Sequence, residues 1–302
     1  MFEFDHALVT GGAGFIGSHL ADRLVDDCTV TVYDDLSTGS RDNVPEDAEF
    51  IHADIRDDDT LRDAVDAADI VFHEAAQVSV QRSVGDPATS HAVNIDPLLT
   101  ILEAARDTNT RVVFASSAAI YGHPESLPIN ESHPKTPTSP YGLEKLTADH
   151  YCRLYHDRYG VDAVVLRYFN AYGPGQQGGD YSGVISIFRD QARAGDEITV
   201  EGDGTQTRDF VHVDDIVEAN LLAAATDEAA GETFNIGTGD SIEIRELAET
   251  IRDVTDSTAD IVHVDSRPGD IDHSEADISK ARDVLGFEPT YDIEAGLDAY
   301  LG

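Results

Sequence analysis

Lysine is almost missing from this chain: only Lys135, Lys145 and Lys280 occur in 302 residues. Tryptophan is absent, methionine occurs once, and Cys28 and Cys152 are the only cysteines. Two cysteines are too few for a disulfide framework or a Cys-rich zinc site. No uninterrupted apolar stretch approaches the ~18 residues of a membrane span. The chain enters a strand-like segment at residues 7–10 with no charged n-region, apolar h-region or cleavage site before it. A soluble cytoplasmic protein is therefore expected.

Positive charge is scarce as a whole. Acidic residues number 59 against 20 basic ones, for a net charge of -39. They are spread in pairs and triplets among periodic apolar segments, which describes a folded protein with an acidic skin, not a disordered tail. Such a skin repels nucleic acid phosphates and anionic membranes, so neither is expected as a partner. It reads as adaptation to high salt, because at ~1 M the Debye length is about 3 Å and self-repulsion is screened. Asp57-Asp-Asp59 lacks the Gly and closing Glu of a calcium loop and reads as acid at a helix start. His212 and His273 lack paired ligand spacing, and no metal is expected.

What the chain has is alternation. Strand-like runs at 7–10, 30–33, 49–52, 70–73, 111–115 and 163–167 alternate with helical segments at 15–25, 60–67, 97–107 and 141–159. Strict alternation predicts an α/β fold, a Rossmann-like doubly wound parallel sheet with helices on both faces. Beyond Arg167 the rhythm loosens into Tyr172-Gly-Pro-Gly-Gln-Gln-Gly-Gly179 and shorter elements. The expected organisation is a dinucleotide-binding domain over 1–168 and a mainly substrate-binding lobe over 169–302, with some later segments returning to the first domain.

The first strand runs into Gly11-Gly-Ala-Gly14-Phe-Ile-Gly17 and then a helix. Glycine there permits positive φ, close approach of a pyrophosphate and tight helix-to-strand packing, and the free amides of the helix start face the phosphates. Asp34 ends the next strand, where a carboxylate binds the adenosine ribose hydroxyls and repels a 2′-phosphate. NAD is thus the expected cofactor.

Tyr141-Gly-Leu-Glu-Lys145 places a phenol and an ammonium on one helix face. A positive neighbour favours phenolate, which pulls the Tyr141 pKa down toward a useful base. The fifth strand ends in Phe114-Ala-Ser-Ser117-Ala-Ala-Ile-Tyr121, at the edge where such sheets hold ligands. Ser117, Tyr141 and Lys145 then form an acid/base set for oxidising an alcohol beside a nicotinamide; Ser116 and Ser117 equally suit a strand-end cap.

Together these residues resemble the extended branch of the short-chain dehydrogenase/reductase superfamily. His73-Glu-Ala-Ala-Gln77, Arg167-Tyr-Phe-Asn170, Arg208-Asp-Phe-Val-His212 and Arg267-Pro-Gly-Asp270 extend the match along the chain. The group it most resembles is the nucleotide-sugar epimerases, especially UDP-hexose 4-epimerases. The resemblance implies that Gly11, Gly14, Phe15, Ile16, Gly17, Asp34, Ser37, Thr38, Gly39, Asp54, Ile55, Ala75, Ala76, Gln77 and Asn94 line the NAD site. Phe169 would lie near the nicotinamide. Ser79, Asn170, Val184, Arg208, Arg267 and Asp270, with Ser117, would contact a UDP-hexose. For the two arginines chemistry agrees, since guanidinium offers a diphosphate forked hydrogen bonds; either is also open to a structural ion pair. A homodimer is implied too, through helices such as 97–107 and 141–159.

Dehydratases of this branch carry an Asp-Glu pair after the serine and UDP-glucuronate decarboxylases a Glu; here Ala118-Ala119 stand. Without an added acid or base, the implied chemistry reduces to removing a hydride and returning it. Val78 replaces a Lys of many glucose-type members. Ser274 stands where plain-hexose members carry Tyr, which leaves room for a 2-acetamido group. Asn170 replaces the usual Thr of uronate epimerases. Another nucleotide-sugar epimerase of the branch, such as one for UDP-glucuronate, a reductase with net NAD turnover, and a non-catalytic NAD-binding regulator are the alternatives.

Overall fold

A computed structural model describes residues 4–176, 183–266 and 271–301. In chain order the first half comprises β1 (His6–Thr10), α1 (Phe15–Leu24), β2 (Thr29–Asp34), β3 (Glu49–His52), α2 (Asp58–Asp66) and β4 (Ile70–His73). Next come α3 (Val80–Gly85), α4 (Pro87–Asn94), α5 (Asp96–Thr108), β5 (Arg111–Ser117), α6 (Pro140–Tyr159) and β6 (Ala163–Tyr168). The six strands pair in parallel, as the alternation predicts, because a crossover carries the chain back after each strand, by helices everywhere except between β2 and β3, where the segment 35–48 with one short 3-10 turn does so.

The second half comprises β7 (Asn170–Tyr172), α7 (Val184–Ala194), β8 (Ile198–Glu201), β9 (Thr207–Arg208), β10 (Phe210–His212) and α8 (Val213–Ala225). It closes with β11 (Thr233–Ile236), β12 (Ile242–Glu243), α9 (Ile244–Val254), β13 (Ile261–Val264) and α10 (Ile293–Leu301). β11 pairs in parallel with β6, giving one seven-stranded sheet ordered β11-β6-β5-β4-β1-β2-β3. α8 packs on the same sheet: Ile216, Ala219 and Ala223 join Val9, Phe72 and Leu166 in one core. The opposite face is filled from α2, α5 and α6 by Leu61, Leu102 and Ala148. A third core, around Phe188, Val200, Leu247 and Leu297, belongs to the later elements.

The order reverses between β1 and β4, and their carboxyl ends are where the chain must leave room for a ligand. α6 delivers its first turn there because its start is fixed: Ser139 caps it by accepting from the Gly142 amide at 3.1 Å, and Pro140 supplies a pre-set φ. At Gly142 a Cβ would stand 2.7 Å from the Ala119 oxygen, so the short turn after β5 touches the helix backbone directly. That contact brings Ser117 and Tyr141 to one place. Among the described residues, no helix is long and apolar enough to cross a membrane.

Candidate active site

The glycine turn is built for close approach. Gly11 has φ +71, and a Cβ on it would lie 2.7 Å from the Ala75 amide nitrogen. One on Gly17 would lie 2.3 Å from the Gly11 oxygen. α1 begins at extended Gly14 with no side-chain cap and no acidic residue in its first turn, so its leading amides are left for an anion. Asp34 closes the other end: its carboxylate accepts from the Ala13 amide at 3.0 Å and the Leu36 amide at 2.8 Å. Burial raises its pKa, and those two amides oppose the rise. The held carboxylate keeps further lone pairs for a diol.

A cavity of about 580 Å³ runs from this turn to the phenol. Of the residues expected in it, Gly11, Gly14, Phe15, Ile16, Gly17, Asp34, Ser37, Thr38, Gly39, Ile55, Ala75, Ala76, Ser117, Tyr141, Lys145 and Phe169 line it. An uncapped helix start at one end and the Ser117, Tyr141 and Lys145 side chains at the other fit a dinucleotide.

Several expected residues stand elsewhere. Asp54 pairs with Arg56 at 2.5 Å, off the cavity wall. Asn94 is buried: its Oδ1 accepts from the Gln77 amide at 2.8 Å and its Nδ2 donates to Glu144 at 2.7 Å. Asn94 therefore clamps the Gln77 loop from behind. Gln77 in turn binds Ser79, whose hydroxyl caps α3 by accepting from the Arg82 amide at 3.3 Å. Asn170 donates to the Asp209 oxygen at 2.8 Å, Val184 opens α7, and Arg208 donates to the Thr207 oxygen at 2.7 Å. Ser274 is only 3% exposed, and it borders neither this cavity nor a second one beside Gln206 and His273. Arg267 and Asp270 lie outside the described residues.

The phenol's electrostatics differ from the expectation. Lys145 is buried, and its ammonium donates to the Ala115 oxygen at 2.5 Å, 6.0 Å from the Tyr141 ring centroid. Burial pushes Tyr141 up to about 12, with a hydrogen bond from Ser117 as the main opposing influence. Burial likewise draws Lys145 down to about 8. The side chain at helical spacing is thus tied to the strand, and desolvation wins over proximity. Ser117 caps the turn after β5, its hydroxyl accepting from the Ala119 amide at 3.2 Å, and it stands near enough to the phenol to oppose the rise.

Glu74, Tyr168 and Gln176 also line the cavity. Glu74 and Tyr168 sit inside motifs quoted above, but a side chain's direction at a strand end is not carried by period. His73, beside Glu74, is fully enclosed and held neutral, its pKa pushed by burial to about 3.

Residues 7–237 match the family model described as NAD dependent epimerase/dehydratase family. The chain is 38% identical over 299 residues to the UDP-glucose 4-epimerase of Mycolicibacterium smegmatis, covering 96% of this chain and 95% of that one. The UDP-N-acetylglucosamine 4-epimerase from Methanobrevibacter ruminantium, in complex with UDP-N-acetylmuramic acid, superposes with a TM-score of 0.95 at 40% identity, covering 100% of this chain and 98% of that one. The UDP-glucose 4-epimerase of Thermus thermophilus, in complex with NAD, gives a TM-score of 0.90 at 36% identity, with 98% and 97% covered. With the glycine turn, Asp34 and the Ser117–Tyr141–Lys145 set in one cavity, the chain belongs to the NAD dependent epimerase/dehydratase family, and its cofactor is NAD.

Proposed function

We propose that this protein inverts C4 of a UDP-hexose, interconverting UDP-glucose and UDP-galactose through a transient 4-keto sugar. The observation that carries the reading is that Ser117 and Tyr141 meet at the end of an NAD cavity while the turn after β5, Ala118-Ala119, brings no carboxyl. Held in the cavity beside Phe169, NAD would supply a reversible acceptor for the C4 hydride. Tyr141 takes the proton of the sugar O4, and Ser117 donates to the same oxygen. Positive charge would lower a phenol raised by burial, and Lys145, its ammonium 6.0 Å from the Tyr141 ring centroid on the next turn of α6, is the proposed source of it once substrate is bound. After the keto sugar turns over, Tyr141 returns the proton. Arg208 and Arg267 are proposed to meet the diphosphate, and α5 and α6 to form a homodimer contact.

The assay that tests this incubates the protein in molar KCl with UDP-glucose, UDP-N-acetylglucosamine and UDP-glucuronate and follows sugar products and NADH. C4 inversion of UDP-glucose without stoichiometric NADH is expected. Net NADH, or binding without conversion, overturns the reading. Conversion of the N-acetyl substrate as well is the second reading, favoured by the likeness to the UDP-N-acetylglucosamine 4-epimerase from Methanobrevibacter ruminantium and not by Ser274, which is buried away from the cavity; it is judged by the ratio of kcat/KM values.

Acidity gives a separate prediction. Acidic residues outnumber basic ones 59 to 20, so most carboxylates have no cationic partner to neutralise them. Surface repulsion therefore opposes folding at low ionic strength and fades as salt rises. The thermal midpoint is expected to rise steadily from dilute buffer to molar KCl. Equal midpoints at both ends would remove the high-salt interpretation.

A further inference from the structure

Glu74 follows the last residue of β4 and lines the cavity with Tyr141 and Lys145, yet the proposed proton exchange does not use it. Its Oε1 accepts from the Tyr168 phenol at 2.8 Å. The Tyr168 oxygen accepts in turn from Asn220 Nδ2 at 2.8 Å, and that nitrogen also donates to the Ile216 oxygen at 2.9 Å, within α8. A carbonyl facing the amide fixes which end of Asn220 is nitrogen, and both of its hydrogens are then spoken for. The phenol's own proton is left to point at Glu74. The chain from Asn220 to Tyr168 to Glu74 has one polarity, and it presents a donor to the carboxyl.

A donor of this kind favours the ionised carboxylate. Burial acts first and raises Glu74 to about 7; the Tyr168 hydrogen bond and the charge of Lys145 oppose it. Lys145 feels Glu74 most among the groups that hold its proton, ahead of Cys152 and Glu144. Glu144 also acts on Tyr141, but Ser90 and Asn94 already donate to it at 2.7 Å each. His73, the other titratable neighbour, is neutral. Geometry places Glu74 beside the ammonium too: His73 is the register partner of Phe114, so Glu74 follows on beside Ala115, the residue whose carbonyl the Lys145 ammonium bonds at 2.5 Å.

We propose that Glu74, held by Tyr168, is a positioning residue that keeps the Lys145 ammonium charged and so sets the upper pH limit of the site's proton chemistry. The inference rests on reading Tyr141 and Lys145 as the proton-transfer pair. The sign is fixed. Negative charge at Glu74 raises both Lys145 and Tyr141, so its removal moves both limbs of a pH profile toward acid.

The scarcity of lysine makes the test direct. Protein labelled with 13C at lysine Cε carries three such signals, and Lys135→Arg and Lys280→Arg identify the third as Lys145. In Glu74→Gln the Lys145 midpoint is expected to fall by about one pH unit or more. In Tyr168→Phe, which keeps the carboxyl but removes its donor, the fall is in the same direction and smaller. The alkaline limb of kcat should move with it. A Lys145 midpoint that stays in place in both variants, in protein that melts as the parent does, overturns the proposal. So does a uniformly lowered kcat with unmoved limbs, which is what a packing role gives. The resonance needs no substrate, so failure to epimerise would refute the proposed function and leave this measurement standing.

Discussion

Tyr141→Phe is expected to lower kcat for C4 inversion by about 100- to 10,000-fold, which is about 3–5 kcal/mol of barrier, with little change in KM. The phenol oxygen is the only atom removed, so sugar and cofactor contacts elsewhere in the cavity persist. An interaction made chiefly in the transition state lowers kcat and kcat/KM together. Stability should fall by no more than about 1 kcal/mol, since one hydrogen bond is lost and Ser117 keeps its bond from the Ala119 amide. Steady-state kinetics beside a denaturant titration separates the two effects. A variant with full activity would assign the proton transfer to another group, and Glu74 would be the first to test.

Much of this site was legible because its signals are local. The glycine turn, Asp34 at the end of β2 and the helical spacing of Tyr141 and Lys145 each follow from a few neighbouring residues. The sheet was legible for the same reason, with β3 and β4 matching the expected 49–52 and 70–73. The strand ends were less so. β5 reaches Ser117 and β6 reaches Tyr168 because polar residues there still pair across the sheet, Ser117 opposite Tyr168. β11 was beyond reading, since its four residues, Thr-Phe-Asn-Ile, carry too little pattern and their partner Val165-Leu-Arg-Tyr168 lies far back in the chain. Charge states are the other gap. Spacing puts the Lys145 ammonium near the phenol, but the sequence does not reveal that the Ala115 carbonyl competes for it, or that burial then raises Tyr141. Asn94 shows the same limit: its residue type suits a ligand, and its position turns it inward to Gln77 and Glu144.

Asp149→Leu is expected to cost about 3–5 kcal/mol of stability, because it strands a guanidinium in the core. Arg167 and Asp149 are both fully buried, and Arg167 Nε donates to Asp149 Oδ2 at 2.8 Å. The guanidinium also donates to the Tyr121 hydroxyl at 2.9 Å and the Glu131 oxygen at 3.1 Å, so it joins α6 to β6 and to the segment after β5. Lys145 is one turn before Asp149 on α6, and the pair thereby holds the helix that carries Tyr141 and Lys145 against the sheet. Arg167→Met should cost less than Asp149→Leu, because a lone buried carboxyl escapes its charge by taking a proton and guanidinium does not. Asp149 Oδ1 and Arg167 Nη2 have no hydrogen-bond partner among the described residues, so the pair falls short of the full satisfaction that offsets desolvation. The double variant Asp149→Leu/Arg167→Met is therefore expected to recover a large part of the Asp149→Leu loss. Urea midpoints for the four proteins of the cycle give the coupling. Additive losses would mean that the bonds to Tyr121 and Glu131, and not the ion pair, hold Arg167 in place.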